Sequence, residues 1–450
     1  MGLQDKIQEK TARVGVVGLG YVGLPLSVEY AKAGFEVVGI DNDPRKIEKL
    51  AAGENYIDDV VDADLKSVVA SGKFRAEVNY DNVSEMDVIF VCVPTPFTAN
   101  KEPDVSFIEY AGKGIATGLR AEQLIILKST TYPETTEKLL QPILEKGGLK
   151  AGEDFHLAFS PERIDPGNRT FTTANTPVVV GGVGEESTVL AVAISEKVIS
   201  EVVPLSSPRA AEMTKLLENI FRSVNIALMN ELAQLCDRMG GIDIWEVVQA
   251  AATKPFGYMP FYPGPGIGGH CILVDPYYLS WKAKEYDFHS NFIKLAGQTN
   301  ENMPYYVLDL IIRSLSINGG AISTSKILIL GVAFKKNVDD IRNSPALKVM
   351  ELLHARGGVN MIYNDPWVPT LEVNNKTYDS KELTQQLLQD SDCVVITTDH
   401  DKYDYNFIVE NAKLVVDTRN AAKNIPEAHK SKVVRLGCGT NAYKPTIHEH

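Results

Sequence analysis

Apolar and polar residues follow two periods along this chain. Wholly or mostly apolar runs stand at Val14–Val17, Phe35–Ile40, Asp87–Val93, Leu124–Leu127 and Leu157–Phe159, lengths suited to strands buried on both faces. Between the first two, Leu24–Ala33 carries a helical pattern that Gly34 ends. A longer helical pattern runs from Pro208 to Met239 and stops at Gly240-Gly241, as glycine at a helix end should. Its residues Met213, Leu216, Leu217, Ile220, Phe221 and Val224 predict a wide buried stripe. Lys215 and Asn219, spaced i, i+4, share one face of it, read either as a solvated face or as side chains meeting at a site. Tyr277–Tyr286 and Asn291–Leu315 read as further helices. From Lys326 a second alternation begins, with strands at Ile327–Leu330, Asn360–Tyr363, Cys393–Thr397 and Leu414–Val416 and a helix at Pro345–Arg356.

The turn after the first run is Gly18-x-Gly20-x-x-Gly23, and the second run ends at Asp41. Strand, glycine turn, helix, strand and acid make a dinucleotide-binding pattern: Gly18 turns the chain, Gly20 admits a pyrophosphate and Gly23 lets the helix pack closely. A carboxylate at Asp41 would accept from ribose hydroxyls and repel a 2'-phosphate, favouring NAD. Arg45 and Lys46 follow closely and leave NADP open. Later runs end in small hydroxyl residues, Thr95 and Thr130, at the strand edge where open α/β sheets take ligands. Glu162 follows the run ending at Phe159 and reads as a loop acid or as a group that positions water.

The second alternation resembles a worn copy of the first. Its first turn is Gly331-x-Ala333-Phe334-Lys335-Lys336, which removes the close backbone approach. Lys335, Lys336, Arg342 and Arg419 supply cations instead, either for a nucleotide diphosphate or as ordinary surface charge. The order of elements predicts an α/β chain: two Rossmann-like doubly wound domains joined by a central helical domain with a long spine helix. The expected domains are 1–205, 206–318 and 319–450.

Composition narrows the partners. At 450 residues with 44% hydrophobic and 23% charged residues, the chain is ordinary for a soluble protein of several domains. A net charge of -13 argues against general attraction to nucleic acid. No run approaches the roughly 18 apolar residues of a membrane span, and five scattered cysteines suggest neither disulfides nor zinc, so a cytoplasmic location is expected. The long helix between two α/β parts is a natural spine for a homodimer. One stretch stands out: Tyr262-Pro-Gly-Pro-Gly-Ile-Gly-Gly-His-Cys271-Ile-Leu-Val-Asp275-Pro, a stiff, ligand-hugging loop around one thiol. Cys271 is there either a small buried hydrophobe or a nucleophile.

Taken in order, VGLGYVGLPL (17–26), KSTTYPETT (128–136), SPERIDPGNR (160–169), EMTKLLENIFRSVNIALMNE (212–231), GPGIGGHCILVDP (264–276) and LGVAFKKNVDDIRNSPA (330–346) resemble the UDP-glucose/GDP-mannose dehydrogenase family over nearly the whole chain. SPERIDPGNR and the wording from Thr253 to Phe288 are most similar to its UDP-N-acetylglucosamine 6-dehydrogenases. The resemblance implies oxidation of a sugar 6-hydroxyl to a carboxylate with two NAD used in turn. Cys271 would capture the aldehyde, Lys215 and Asn219 would stabilise the oxyanion, and Asp275 would orient that lysine or a water. Glu162 and Thr130 would place the hydrolytic water. Gly18, Gly20, Tyr21, Val22, Gly23, Asp41, Lys46, Thr95, Thr130 and Arg342 would hold NAD. Glu162, Lys215, Asn219, Tyr262, Gly268, Phe334, Lys335 and Arg419 would hold the UDP-sugar, with no metal. Two departures matter: Pro166 stands where some members carry a second acid, and Lys254-Pro255 where others carry a cross-subunit arginine. UDP-N-acetylmannosamine, UDP-N-acetylgalactosamine and UDP-glucose are the alternative substrates, and a two-electron hydroxy-acid dehydrogenase and a non-catalytic nucleotide-sugar or redox sensor are the rival readings.

Overall fold

The computed structural model describes residues 1–57, 59–98, 101–164, 170–269, 272 and 275–439. The chain divides into two compact units, Met1–Glu218 with Tyr277–Phe288, and Asn219–Pro276 with His289–His450.

The first unit is built on one sheet of β1 (Arg13–Val17), β2 (Glu36–Ile40), β3 (Phe74–Glu77), β4 (Val88–Val91), β5 (Leu124–Leu127), β6 (His156–Phe159), β7 (Val178–Gly182) and β8 (Val202–Leu205). The order is β3-β2-β1-β4-β5-β6-β7-β8, parallel except between β6 and β7. Its first six strands have the doubly wound order of a dinucleotide-binding sheet, which reverses between β1 and β4. Alternate residues of a strand face opposite sides. Val14, Val16, Phe90 and Ile126 therefore join one apolar layer, and Val17, Ile89, Val91 and Ile125 the other. Every residue of β4, β5 and β6 is buried, which is why they read as continuous apolar runs.

In the second unit β9 (Ile327–Leu330), β10 (Met361–Asn364), β13 (Cys393–Ile396), β14 (Val415–Asp417) and β15 (Val433–Arg435) form a parallel sheet in the order β10-β9-β13-β14-β15. The order again reverses beside its first strand. Between β10 and β13 the chain makes an antiparallel hairpin, β11 (Thr370–Val373) and β12 (Lys376–Asp379). Its turn residues Asn374 and Asn375 both have positive φ, 53° and 58°, the conformation a two-residue hairpin loop needs.

The spine helix spans Pro208–Met239, but its expected buried stripe holds only in part: Leu216 is buried and Ile220 and Val224 are half-buried. Met213, Leu217 and Phe221 are exposed, as are Leu228, Leu235 and Met239 further along. At about 100° per residue these six fall within an arc of about 80°. The buried side mixes apolar Ala211, Leu216, Ala227, Met229, Ala233 and Cys236 with polar Glu212, Lys215, Asn219, Ser223, Asn230 and Asp237. Burial of Glu212, Asn219, Ser223, Asn230 and Asp237 is tolerable because each is hydrogen-bonded. Glu212 receives Glu134 N, Thr136 N and Thr136 Oγ1. Asn230 donates to Asn300 and accepts Gly264 N at 2.9 Å. Asp237 accepts from Tyr306, Gly437 and Gly439. Among the described residues no helix is long and apolar enough to cross a membrane.

Candidate active site

In the first unit β1 ends in the glycine turn and the helix Gly23–Lys32 begins at its third glycine. Gly18 has φ 92°, and a Cβ there would lie 2.6 Å from Cys92 O. At Gly23 a Cβ would lie 1.8 Å from Gly18 O, whereas at Gly20 it would meet nothing within 4 Å. The turn is closed on its protein side and open at Gly20, beside a helix N-terminus, which fits a pyrophosphate. Tyr21 is exposed and Val22 half-buried at the same turn. Asp41 is 7% exposed; its Oδ2 accepts Leu19 N at 2.9 Å and Lys46 Nζ at 2.8 Å. The acid thus ties the turn to the end of β2 and is matched by one cation.

At the carboxyl ends of β4 and β5, Thr95 Oγ1 donates to Thr130 O at 2.7 Å. Just beyond β6, Glu162 Oε1 accepts the N–H groups of Arg163 and Ile164 at 2.8 and 3.0 Å. Its other oxygen lies 3.7 Å from Lys128 Nζ, an ammonium with 2% side-chain exposure. Burial pushes the nearby Cys92 thiol up to about 12, with Lys128 opposing and Glu162 adding to the shift. Cys92 is therefore a packing residue.

The helix Asp275–Ala283 is anchored to this unit beyond Pro276. Tyr278 OH donates to Thr95 O and Pro96 O, and Trp281 lies against Tyr132 at 5.0 Å. Lys282, 6% exposed, reaches Glu134 at 2.9 Å. Burial acts to raise Glu134, but Lys138 and Lys282 outweigh it and hold the carboxyl at about 2. For Glu212 burial wins over its three hydrogen bonds and lifts the carboxyl to about 7.

In the second unit the glycine loop closes on two other stretches. A Cβ on Gly264 would come within 2.8 Å of Arg419 Nη1, and one on Gly268 within 2.6 Å of Phe334 Cβ. Only hydrogen fits at Gly268, whereas a methyl at Gly264 would have to displace the end of the Arg419 side chain. Gly269 N donates to Arg342 O at 2.9 Å, and Asn343 Nδ2 donates to Gly269 O at 3.0 Å. The Arg419 guanidinium is held by Thr397 O at 3.1 Å, and burial lowers its pKa. Lys335 is half-buried. Arg342 pairs with Asp340 at 2.6 Å, and Tyr262 stacks on Trp245 at 5.6 Å. Asn219 and Asp275, 5% and 3% exposed, are hydrogen-bonded to each other. Lys215, 7% exposed, stands one helical turn before Asn219. Cys271 and Pro166 lie outside the described residues.

Sequence reasoning overlooked Lys128, whose one signal is its place at the end of an apolar run. It also overlooked Asp365, immediately after β10, whose Oδ2 accepts Val332 N at 2.7 Å and Ala333 N at 3.2 Å. Asp365 does for the second sheet's first turn what Asp41 does for the first. Here the following helix starts only at Pro345, so Phe334 and Lys335 sit on irregular backbone and no helix N-terminus meets the turn.

A three-glycine turn with its acid marks a dinucleotide-binding sheet, and a second sheet follows whose equivalent turn bears Phe334 and Lys335. Residues 12–200, 209–302 and 328–424 match the NAD binding, central and UDP binding domains of the UDP-glucose/GDP-mannose dehydrogenase family. The chain belongs to that family, and it is an NAD-dependent oxidoreductase of UDP-sugars. A UDP-N-acetyl-D-mannosamine dehydrogenase of Pyrococcus horikoshii is 35% identical over 421 residues, 92% of this chain and 97% of that protein. A UDP-N-acetyl-D-glucosamine 6-dehydrogenase of Pseudomonas aeruginosa is 36% identical over 361 residues, 80% of this chain and 84% of that protein. The solved structure of the UDP-D-ManNAc dehydrogenase from Pyrococcus horikoshii has a TM-score of 0.86 at 32% identity, covering 95% of this chain and 99% of that one.

Proposed function

We propose that the protein oxidises the 6-hydroxyl of a UDP-N-acetylhexosamine to the carboxylate, with UDP-N-acetylglucosamine as the substrate. The observation that carries the reading is the closure of the glycine loop on Phe334, Arg342 and Arg419, which brings the arm leading to Cys271 to the nucleotide-type turn of the second unit. The mannosamine epimer is the second reading, because the relative matched over the longer span carries that name.

NAD, when bound, accepts a hydride in each of the two oxidations. Gly18, Gly20, Tyr21, Val22, Gly23, Asp41, Lys46, Thr95 and Thr130 hold it, with Arg342 completing the site. Cys271 captures the aldehyde as a thiohemiacetal, so the half-oxidised sugar does not escape, and the second oxidation leaves a thioester. Lys215 and Asn219 stabilise the oxyanion, Asp275 orients them, and Glu162 with Thr130 positions the water that hydrolyses the thioester. Phe334, Lys335 and Arg419 hold the UDP, with Tyr262 and Gly268 lining its sugar end.

Three further readings belong to this proposal. The domains are 1–205, 206–318 and 319–450. The exposed arc of Met213, Leu217, Phe221, Leu228, Leu235 and Met239 is the face of a homodimer. The enzyme works in the cytoplasm.

The test is to supply NAD with UDP-glucose and the UDP-N-acetyl derivatives of glucosamine, galactosamine and mannosamine, and to count NADH. Two NADH per uronic acid are expected, and one NADH per product would establish a two-electron enzyme instead. Cys271→Ser should keep NAD binding and lose steady uronate formation. Lys215→Ala should lose about tenfold or more in turnover.

A further inference from the structure

The loop from Gly331 to Asn343 has neither helix nor strand, so its shape comes from what anchors it. Asp365 holds its first turn. Its middle is held by His400, which is fully buried beyond β13. Asn337 N donates to His400 Nδ1 at 2.9 Å, and His400 Nε2 lies 2.9 Å from Asp365 Oδ2. A nitrogen that accepts an N–H carries no proton, so the proton sits on Nε2 and is donated to Asp365. The imidazole bridges two anchors of one loop, and its neutral form alone can do so. A proton on Nδ1 would set two N–H groups against each other at a hydrogen-bond distance in a buried place, and the loop would have to give way.

The charged and titratable groups around the ring are Asp365 after β10, Lys336 on the loop, and Asp401, Tyr403 and Tyr405 after His400. Lys336 pairs with Asp401 at 3.2 Å, and Asn337 exchanges two further hydrogen bonds with Asp401. The Tyr403 ring lies edge-on at 5.7 Å, and Tyr405 OH donates to His400 O. Asp365 favours a proton on Nε2 in either state, so the Asn337 contact is the one that protonation breaks.

We propose that His400 is a positioning residue for nucleotide-sugar binding: its neutral imidazole holds the Phe334–Asn343 loop in the form that grips UDP-sugar, and acid weakens that grip. The inference rests on the reading that this loop binds the nucleotide.

The experiment measures Kd for UDP-N-acetylglucosamine and UDP-N-acetylmannosamine, together with KM and kcat, from about pH 8 to about pH 5.5. The diphosphate of a UDP-sugar is doubly esterified and keeps its charge over this range, so the ligand does not contribute. Wild-type Kd should rise about tenfold toward acid while NAD affinity stays level. His400→Phe should raise Kd about tenfold at neutral pH, change kcat less than about threefold, and lose the acid rise. His400→Gln keeps an acceptor for Asn337 N that cannot titrate, so it should retain neutral-pH affinity and abolish the rise. A flat wild-type profile, or an acid rise that survives in His400→Gln, overturns the proposal, and both can be read even where His400→Phe fails to fold. Lys335→Ala separates the two levels: unchanged Kd in that variant refutes the nucleotide reading of the loop, whereas weakened Kd there with a flat wild-type profile refutes only the role of His400.

Discussion

Asn219 on the spine helix donates a hydrogen bond through its amide to the carboxylate of Asp275, the first residue of the helix that follows the cysteine loop. Both side chains are buried, so this charge-assisted bond fixes the far end of that loop against the element bearing Lys215. Asn219→Asp would set two carboxylates together in a buried place and should lower turnover more than Asn219→Ala, the latter by about tenfold to a hundredfold, equivalent to about 1.5–3 kcal/mol. Steady-state kcat at saturating NAD checks the order, and equal losses would show that the bond has no part in the site.

The glycine turn separates packing from binding. Gly23→Ala places a methyl 1.8 Å from Gly18 O, so both stability and NAD binding should be lost. Gly20→Ala meets no protein atom within 4 Å, so its melting temperature should stay within about 2 °C while NAD affinity falls about tenfold. Calorimetric melting and NAD titration of the two variants make the comparison.

How far the sequence foretells these arrangements depends on what local pattern encodes. The bounds of the spine helix follow from its period, but its facing does not. Periodicity shows that Met213, Leu217 and Phe221 share a stripe, not that the stripe points inward. The opposite side is buried because Glu134, Thr136, Gly264 and Asp275 arrive from distant stretches to satisfy its polar groups. Strand β3 escapes a reading by apolar runs because charged Arg75 and Glu77 interrupt it, and β8 because Pro204 stands inside a run of four, whereas β7 is wholly buried but ends in two glycines.

The site shows the same limit. The glycine turn and Asp41 are contiguous enough to be recognised together. Nothing local announces that a side chain at Gly268 would strike Phe334, or that His400 supports Asn337. Those relationships exist only once the second sheet has formed.

Glu212 makes stability fall as pH rises. Burial lifts its carboxyl from 4.5 to about 7. An acid whose pKa is raised in the fold contributes stability that is fully present below its unfolded value and is lost as pH rises through the folded one. The contribution lost between about pH 4.5 and pH 7 is on the order of 3 kcal/mol. Glu212→Gln cannot titrate but turns an NH2 toward a backbone N–H, so it should melt lower at every pH and with a flatter profile. Denaturant midpoints at about pH 5, 6.5 and 8 test the slope.

Lys128 sets the charge beside Glu162. The ammonium is buried 3.7 Å from that carboxylate, and removing it leaves the acid proposed to position the hydrolytic water without its cation. Lys128→Met should slow turnover about tenfold or more. Because hydrolysis follows both oxidations in the proposed mechanism, rapid mixing should show a burst of two NADH per site before the slow phase. Lys128→Arg should restore part of the rate, and a variant with no burst and normal turnover would make the lysine a packing residue.

In the proposed NAD site, cofactor choice rests on Asp41. Its carboxylate already accepts Leu19 N and Lys46 Nζ, so it shapes the turn as well as carrying the negative charge assigned to the ribose end. Asp41→Ala removes the repulsion of a 2'-phosphate and frees Lys46, with Arg45 one residue away, to attract one. It also strips Leu19 N of its acceptor and loosens the turn, so kcat/KM with NAD should fall about tenfold or more while that with NADP rises. The ratio of NADP to NAD efficiency should therefore increase about a hundredfold. Asp41→Asn separates the effects: it keeps an acceptor for Leu19 N but carries no charge, so NAD should be used better than in Asp41→Ala while NADP still gains over wild type. Initial rates with each cofactor decide the matter, and an unchanged ratio in both variants would mean that discrimination arises elsewhere in the turn.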